Sequence, residues 1–130
     1  MESPVLAPLI NSPADVVMQV LDMRASKKEH FIALLLNARN RLLHKETISI
    51  GTLTASLVHP REVFEPAIRY SAAAVIIVHN HPSGDTEPSD YDISITQRLL
   101  KSGELLGIEV LDHIIVTSTD FMSFKSEGLI

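Results

Sequence analysis

The 130 residues contain no cysteine. That excludes a disulfide scaffold and any thiolate-bound zinc, and it fits a reducing compartment, so a cytoplasmic location is expected. No apolar run is long enough to span a bilayer. The first residues hold prolines and an acid where a secretory leader would have a basic region and an apolar core. Positive charge is also scarce. Eleven Lys and Arg face sixteen Asp and Glu, for a net charge of −5. Non-specific nucleic-acid binding is driven by phosphate neutralisation, so this balance argues against it. The basic residues near Arg24, Lys27 and Lys28, and near Arg39, Arg41 and Lys45, read as solvated surface beside neighbouring acids. The sequence has no Gly-rich phosphate loop and no His-Glu-x-x-His helix. It has no Pro-Cys-x-x-Cys, which excludes a cysteine-liganded nucleobase deaminase. Repeats, low-complexity segments and linkers are missing too. What is present is a core: hydrophobic residues make up 45% and mean hydropathy is +0.19, which excludes a disordered chain. A domain of this size buries roughly two-thirds of its unfolded surface and needs no covalent staple.

The pattern along the chain gives one domain over residues 12–130 after an extended lead-in, 1–11. Ser12-Pro13-Ala14-Asp15 is a helix start, with a Ser cap, Pro at the first helical position and an acid in the first turn. The helix is expected to reach about Ala25 with Val16, Val17, Val20, Leu21 and Met23 as its apolar stripe. His30–Asn37 and Leu42–Ile50 read as strands joined by the turn Ala38–Arg41, a β-hairpin. Thr52–Val58 is a candidate third strand. Pro60 opens a helix to about Ser71 with Val63, Phe64, Ala67 and Ile68 on one side. Ala74–Val78 is a buried strand. Ser89 to about Leu106 is the longest helix, with Ile93, Thr96, Leu99 and Leu100 as its inner face, and Gly107 ends it. Ile108–Thr117 is a strand, and Phe121–Lys125 is a candidate last one. Alternating strands and helices imply an α/β fold whose mixed sheet is covered on both faces.

The most informative stretch runs from His79 to Asp92, HNHPSGDTEPSDYD. Two imidazoles two residues apart at a strand end can point the same way, because successive side chains alternate. A Pro/Gly loop follows, and Asp92 lies one turn into the next helix. Two His and one Asp arranged so make a three-ligand metal site with one position open, as a catalytic zinc needs. Each piece is weak alone. With six His in 130 residues, chance supplies about 0.3 His-x-His. Ser89-x-x-Asp92 by itself is a capping-box-like helix start. The two readings are compatible, since a cap fixes the helix that carries the ligand.

The conjunction is far more specific. Strand, His-x-His, seven residues (Pro82–Pro88) and Ser-x-x-Asp resembles the JAMM signature of JAB1/MPN metalloproteases. In more detail the chain resembles the RadC family, through Gly51-Thr52-Leu53, Val58-His59-Pro60-Arg61-Glu62-Val63, the loop His79–Gly84, Pro88-Ser89 with Asp92, and Leu111-Asp112-His113. The likeness covers nearly everything from about residue 12. Full-length members of that family usually carry an N-terminal helix-hairpin-helix region, which has no counterpart in these residues. The resemblance implies a JAB1/MPN-like, cytidine-deaminase-like architecture and one Zn²⁺ per chain held by His79, His81 and Asp92, with water in the fourth position. It implies that Ser89 helps hold the oxyanion on the scissile carbonyl and that an upstream glutamate acts as general base and acid. Zinc lowers the pKa of bound water toward about 7 and polarises a carbonyl, so a nearby carboxylate can take and return the proton.

Glu29, ahead of Phe31, Ala33 and Leu35 in strand alternation, matches the position of that glutamate. Glu46, inside the second strand, is the alternative. Asp112 or His113 could orient a ligand histidine from behind, although a satisfied core or loop histidine is the simpler reading of His113. His30, His44 and His59 receive no role. The expected activity is zinc-dependent hydrolysis of a peptide or isopeptide amide, with a protein or peptide as partner and no membrane. The rivals are a non-catalytic metal-binding interaction module and, as the family name suggests, a DNA-repair-associated factor. The acidic balance counts against the last.

Overall fold

A computed structural model of the protein describes residues 6–51 and 58–130. Helix α1 (Pro13–Met18) starts as its sequence dictates, with the Ser12 hydroxyl accepting from the Asp15 N–H at 3.3 Å. It then stops early. Val16, Val17 and Val20 are β-branched and weak helix formers, and the chain tightens into a 3₁₀ turn, Leu21–Met23. The break keeps Val20 and Met23 buried but turns Leu21 out to solvent, against expectation.

Strands β1 (Glu29–Leu36) and β2 (Leu42–Gly51) form the expected antiparallel hairpin. Residues 52–57, the bulk of the candidate third strand, lie outside the described residues, and Val58 is buried but not in a strand. Helix α2 (Pro60–Arg69) follows, then β3 (Ala74–Asn80), α3 (Asp90–Leu106), β4 (Glu109–Val116) and β5 (Phe121–Ser123). The sheet order is β2-β1-β3-β4-β5, antiparallel except for the parallel pair β3/β4. That parallel step is the crossover made by α3, the connection a parallel pair requires. Among the described residues this is an α/β fold with a mixed five-stranded sheet and three α-helices, consistent with a JAB/MPN-like architecture.

Both sheet faces are buried. On one, Phe31, Ala33, Leu35, Val75 and Ile77 pack against Val63, Phe64 and Ala67 of α2 and Ile95 and Leu99 of α3. On the other, Ile32, Leu34, Leu36, Ile76 and Val78 pack against Val16, Val17 and Val20. The buried arc of α2 centres between Val63 and Ala67. Ile68 then falls about 120° away at 100° per residue, and it is exposed, where the sequence placed it inside. In α3 the buried stripe is Asp92, Ile95, Thr96, Leu99 and Gly103. Ile95, not Ile93, lies inward, because the stripe runs through the carboxylate of Asp92. Among the described residues, no helix is long and apolar enough to cross a membrane.

The end of α3 supplies a test of this packing. Gly103 is buried, and a Cβ there would overlap the backbone oxygen of Ile108. Helix propensity alone favours Gly103→Ala by about 1 kcal/mol. The clash is with backbone, which cannot swing aside, and overpacking costs about 1–3 kcal/mol. Gly103→Ala should therefore destabilise the protein in denaturant titrations. A gain of about 1 kcal/mol would mean that α3 and β4 are not in this contact.

Candidate metal centre

The site forms where the central strands end. Phe31 of β1 pairs with His79 of β3, and the same antiparallel register continued by two residues sets Glu29 across from His81. His79, the penultimate residue of β3, is buried. His81 lies just past the strand but keeps to the ladder, its N–H donating to the Val116 carbonyl at 2.9 Å. The two imidazoles do point the same way, with Nε2 atoms 2.9 Å apart. After them Pro82 occupies the second position of a tight turn closed by the Gly84 N–H on the His81 carbonyl at 3.1 Å. Gly84 takes φ +88°, a conformation L side chains rarely adopt.

Asp92 enters from α3. Ser89 caps that helix, its hydroxyl accepting from the Asp92 N–H at 3.0 Å, while the Ser89 N–H donates to Asp92 Oδ2 at 2.9 Å. This reciprocal box has aspartate in place of the usual glutamate, and the shorter side chain keeps the carboxylate tight against the helix start. Asp92 Oδ1 lies 3.2 Å from His79 Nε2 and Oδ2 lies 3.1 Å from His81 Nε2. Glu29 Oε1 stands 3.8 Å from His79 Nε2. Ligand atoms of Glu29, His79 and His81 all lie within 4.8 Å of one another, a grouping that could hold a metal ion.

The donor set fits such an ion. Ligands at about 2.0–2.1 Å in a tetrahedron stand roughly 3.3 Å apart. The His–His separation of 2.9 Å is near that edge, and the two carboxylate oxygens of Asp92 lie 3.2 Å from His79 Nε2 and 3.1 Å from His81 Nε2, one each. The outer nitrogens are held as well. His81 Nδ1 donates to the Asp85 carbonyl at 2.8 Å, and since a carbonyl can only accept, a neutral His81 keeps its free electron pair on Nε2. His79 Nδ1 faces His113 Nε2 at 2.7 Å. The His79 ring stacks on Phe31, and His113 stacks on Phe124 with centroids 4.4 Å apart.

Of the residues nominated from sequence, the structure gathers His79, His81, Asp92, Glu29 and Ser89 at one place, with His113 behind them. Glu46 does not join them. It sits on β2 opposite Ala33, with its carboxylate on His44 Nε2 at 3.0 Å. Asp112 is a correction, since it orients no histidine. A register shift in the β3/β4 pairing leaves Asp112 beside Ile76 on the α1 face. There its carboxylate accepts from the Ser123 hydroxyl at 2.5 Å and the Lys125 N–H at 3.0 Å. It anchors the chain's last segment.

Sequence reading missed Asn80, which is fully buried. Its Oδ1 accepts from the His30 N–H at 2.6 Å, and its Nδ2 donates to the Lys28 carbonyl at 2.9 Å, so it grips the backbone on both sides of Glu29. Its signal was an amide between the two histidines at the end of a buried apolar strand. Thr96, hidden as one more residue of a helix face, was missed as well. An open cleft of ≈ 210 Å³ borders the cluster, lined by Glu29, His81, Ser83, Asp85, Glu87 and Ser89.

The RadC-like JAB domain family matches residues 10–129. The chain belongs to this RadC family. Relatives include UPF0758 proteins of Desulforamulus reducens, 58% identical over 94% of this chain and 54% of the relative, and of Desulforudis audaxviator, 54% identical with the same coverage. A third, from Shouchella clausii, is 52% identical over 98% of this chain and 56% of its own length. The chain thus spans about half the length of the curated relatives it matches.

The electrostatics of this RadC domain follow from its geometry. Burial opposes charge on Asp92, but hydrogen bonds from His79 and His81, the charge of His79 and the Ser89 N–H outweigh it and hold the carboxyl far below the usual range. Burial also opposes protonation of His81. The Asp92 side chain, the Asp85 carbonyl and the charges of Asp92 and Glu29 win, and its pKa is raised. Burial dominates at His113, helped by neighbouring His79 and His81 against Asp92, and keeps that ring neutral. A depressed carboxyl pKa contributes stability above the unfolded value of about 3.9 and loses it as pH falls toward the folded value. In metal-free protein, carboxyl ¹³C titration should find Asp92 still ionised at pH 3. A midpoint at or above 4 would mean the two histidines do not hold the carboxylate.

Proposed function

We propose that this chain is a zinc-dependent hydrolase of the JAMM type, cleaving a peptide or isopeptide amide. One observation carries the reading. Two imidazole Nε2 atoms and the Asp92 carboxylate face a common point, with Glu29 3.8 Å from His79 beside an open cleft. His79, His81 and Asp92 would hold the ion, which when bound supplies Lewis-acid polarisation of a carbonyl and an acidified water. Glu29 stands too far from His79 for a direct hydrogen bond and belongs at the distance of a base acting on a molecule between them. Its carboxylate takes the proton of the attacking water and returns it to the departing amine nitrogen. The Ser89 hydroxyl, whose oxygen already accepts from the Asp92 N–H, has its own proton free to donate to the oxyanion that develops on the carbonyl. Exposed extended substrate would approach along the cleft between Glu29 and the Ser83–Glu87 loop. The absence of cysteine fits a cytoplasmic setting.

Metal analysis of purified protein should give one zinc per chain. Glu29→Gln should retain that zinc and the fold while abolishing hydrolysis of a peptide and isopeptide panel, because an amide cannot accept the proton. Zinc retained with no hydrolysis by the wild type on any substrate would favour a metal-binding interaction module instead.

Ser89→Ala separates two roles. Loss of the cap should cost about 1 kcal/mol of stability. Loss of the oxyanion donor should slow turnover about a hundredfold or more. Full turnover in this variant would leave Ser89 only the cap.

A further inference from the structure

Behind the candidate ligands lies a buried chain of polar groups that the proposed reaction does not use. Thr96 Oγ1 is 2.7 Å from the Asp92 carbonyl and 2.6 Å from His113 Nδ1. His113 Nε2 is 2.7 Å from His79 Nδ1. His113 is completely buried, and Thr96 and His79 nearly so. We propose that Thr96 and His113 are positioning residues that lock His79 in the Nδ1–H tautomer, leaving its Nε2 electron pair free for the ion. This rests on the reading of His79 as a metal ligand.

Counting protons along the chain leaves one assignment. A backbone carbonyl only accepts, so the single Thr96 hydroxyl proton goes to Asp92. The Thr96 oxygen must then receive a proton from His113 Nδ1. A neutral imidazole carries one N–H, so His113 Nε2 is an acceptor and His79 Nδ1 is the donor. In a neutral His79 ring, Nε2 is then left with its electron pair, on the side of Asp92 and His81. Running the chain the other way would turn the Thr96 proton toward His113. Two oxygens, Thr96 Oγ1 and the Asp92 carbonyl, would then stand 2.7 Å apart with no proton between them. The same hydroxyl therefore touches the residue that carries one ligand and sets the tautomer of another. His81 reaches the same state separately, through the Asp85 carbonyl. Groups of this kind, hydrogen-bonded to the far nitrogen of a ligand histidine, typically change metal affinity by about 10–100-fold when removed.

The test reads tautomers and metal binding together. In ¹⁵N-labelled protein, with or without zinc, long-range ¹H–¹⁵N correlation should show His113 as Nδ1–H and a proton on His79 Nδ1. Free imidazole side chains favour the opposite form. Thr96→Val removes the hydroxyl at similar volume. It should convert His113 to Nε2–H and weaken Zn²⁺ binding, measured against a chelating dye, by about tenfold or more. Thr96→Ser should restore both. Nε2–H on His113, or no proton on His79 Nδ1, in the wild type overturns the proposal, as does Thr96→Val with wild-type tautomers and affinity. If Thr96→Val does not fold, the wild-type tautomers decide alone. A wild type that binds no zinc would defeat the metal-centre reading, while its tautomers would still judge the relay.

Discussion

The antiparallel register between β1 and β3 is the constraint on which the rest depends. It sets Phe31 beside His79 and carries Glu29 to the position across from His81. Both faces of these strands are buried, so a slip of one residue would turn every β1 side chain to the wrong face. The hydrophobic alternation that prevents the slip, Phe31, Ala33 and Leu35 against Ile32, Leu34 and Leu36, thereby fixes where the carboxylate stands. Core packing and site geometry are one condition on the same pairing.

Buried polar side chains lie both on the sheet and on helix α3 that covers it. His79, Asn80, Asp92, Thr96, Asp112, His113, Thr117 and Ser123 are all buried. Leaving any of them unpaired would cost on the order of 1–3 kcal/mol each. Among the described residues, no buried side-chain nitrogen or oxygen lacks a partner. The polar groups separate by face. On the α3 side, Thr96, His113 and His79 run toward the candidate ligands. On the α1 side, Asn80 grips the approach to β1 and Asp112 ties down the C-terminal segment. Neighbouring residues of one strand thus serve different ends because alternation sends them to opposite faces.

Most elements were legible from periodicity, caps and turns. The failures share a cause. The inner face of α3 was read from apolar spacing, which selected Ile93. A charged residue, Asp92, lies on the axis of the buried stripe, so Ile95 takes the place of Ile93 while Thr96 and Leu99 stay inward as expected. Hydrophobicity alone places Leu21 and Ile68 inside. A helix break exposes the first, and rotation around the α2 axis exposes the second. Asp112 and His113 were inseparable in sequence because they are adjacent, and only the irregular β3/β4 register decided which of them meets His79.

His79, His81, Ser89 and Asp92 stood out in sequence because all four lie within one strand–loop–helix unit, where spacing and alternation nearly determine geometry. The choice of Glu29 over Glu46 was of another kind. Both are strand glutamates, and the difference lies in which of them the register brings to the end of β3, fifty residues on in the chain. The same holds for Asn80 against Lys28 and for Thr96 against His113. Local sequence encodes local chemistry. Which distant side chain completes it depends on strand pairing and helix rotation, and these are set by how the whole core packs.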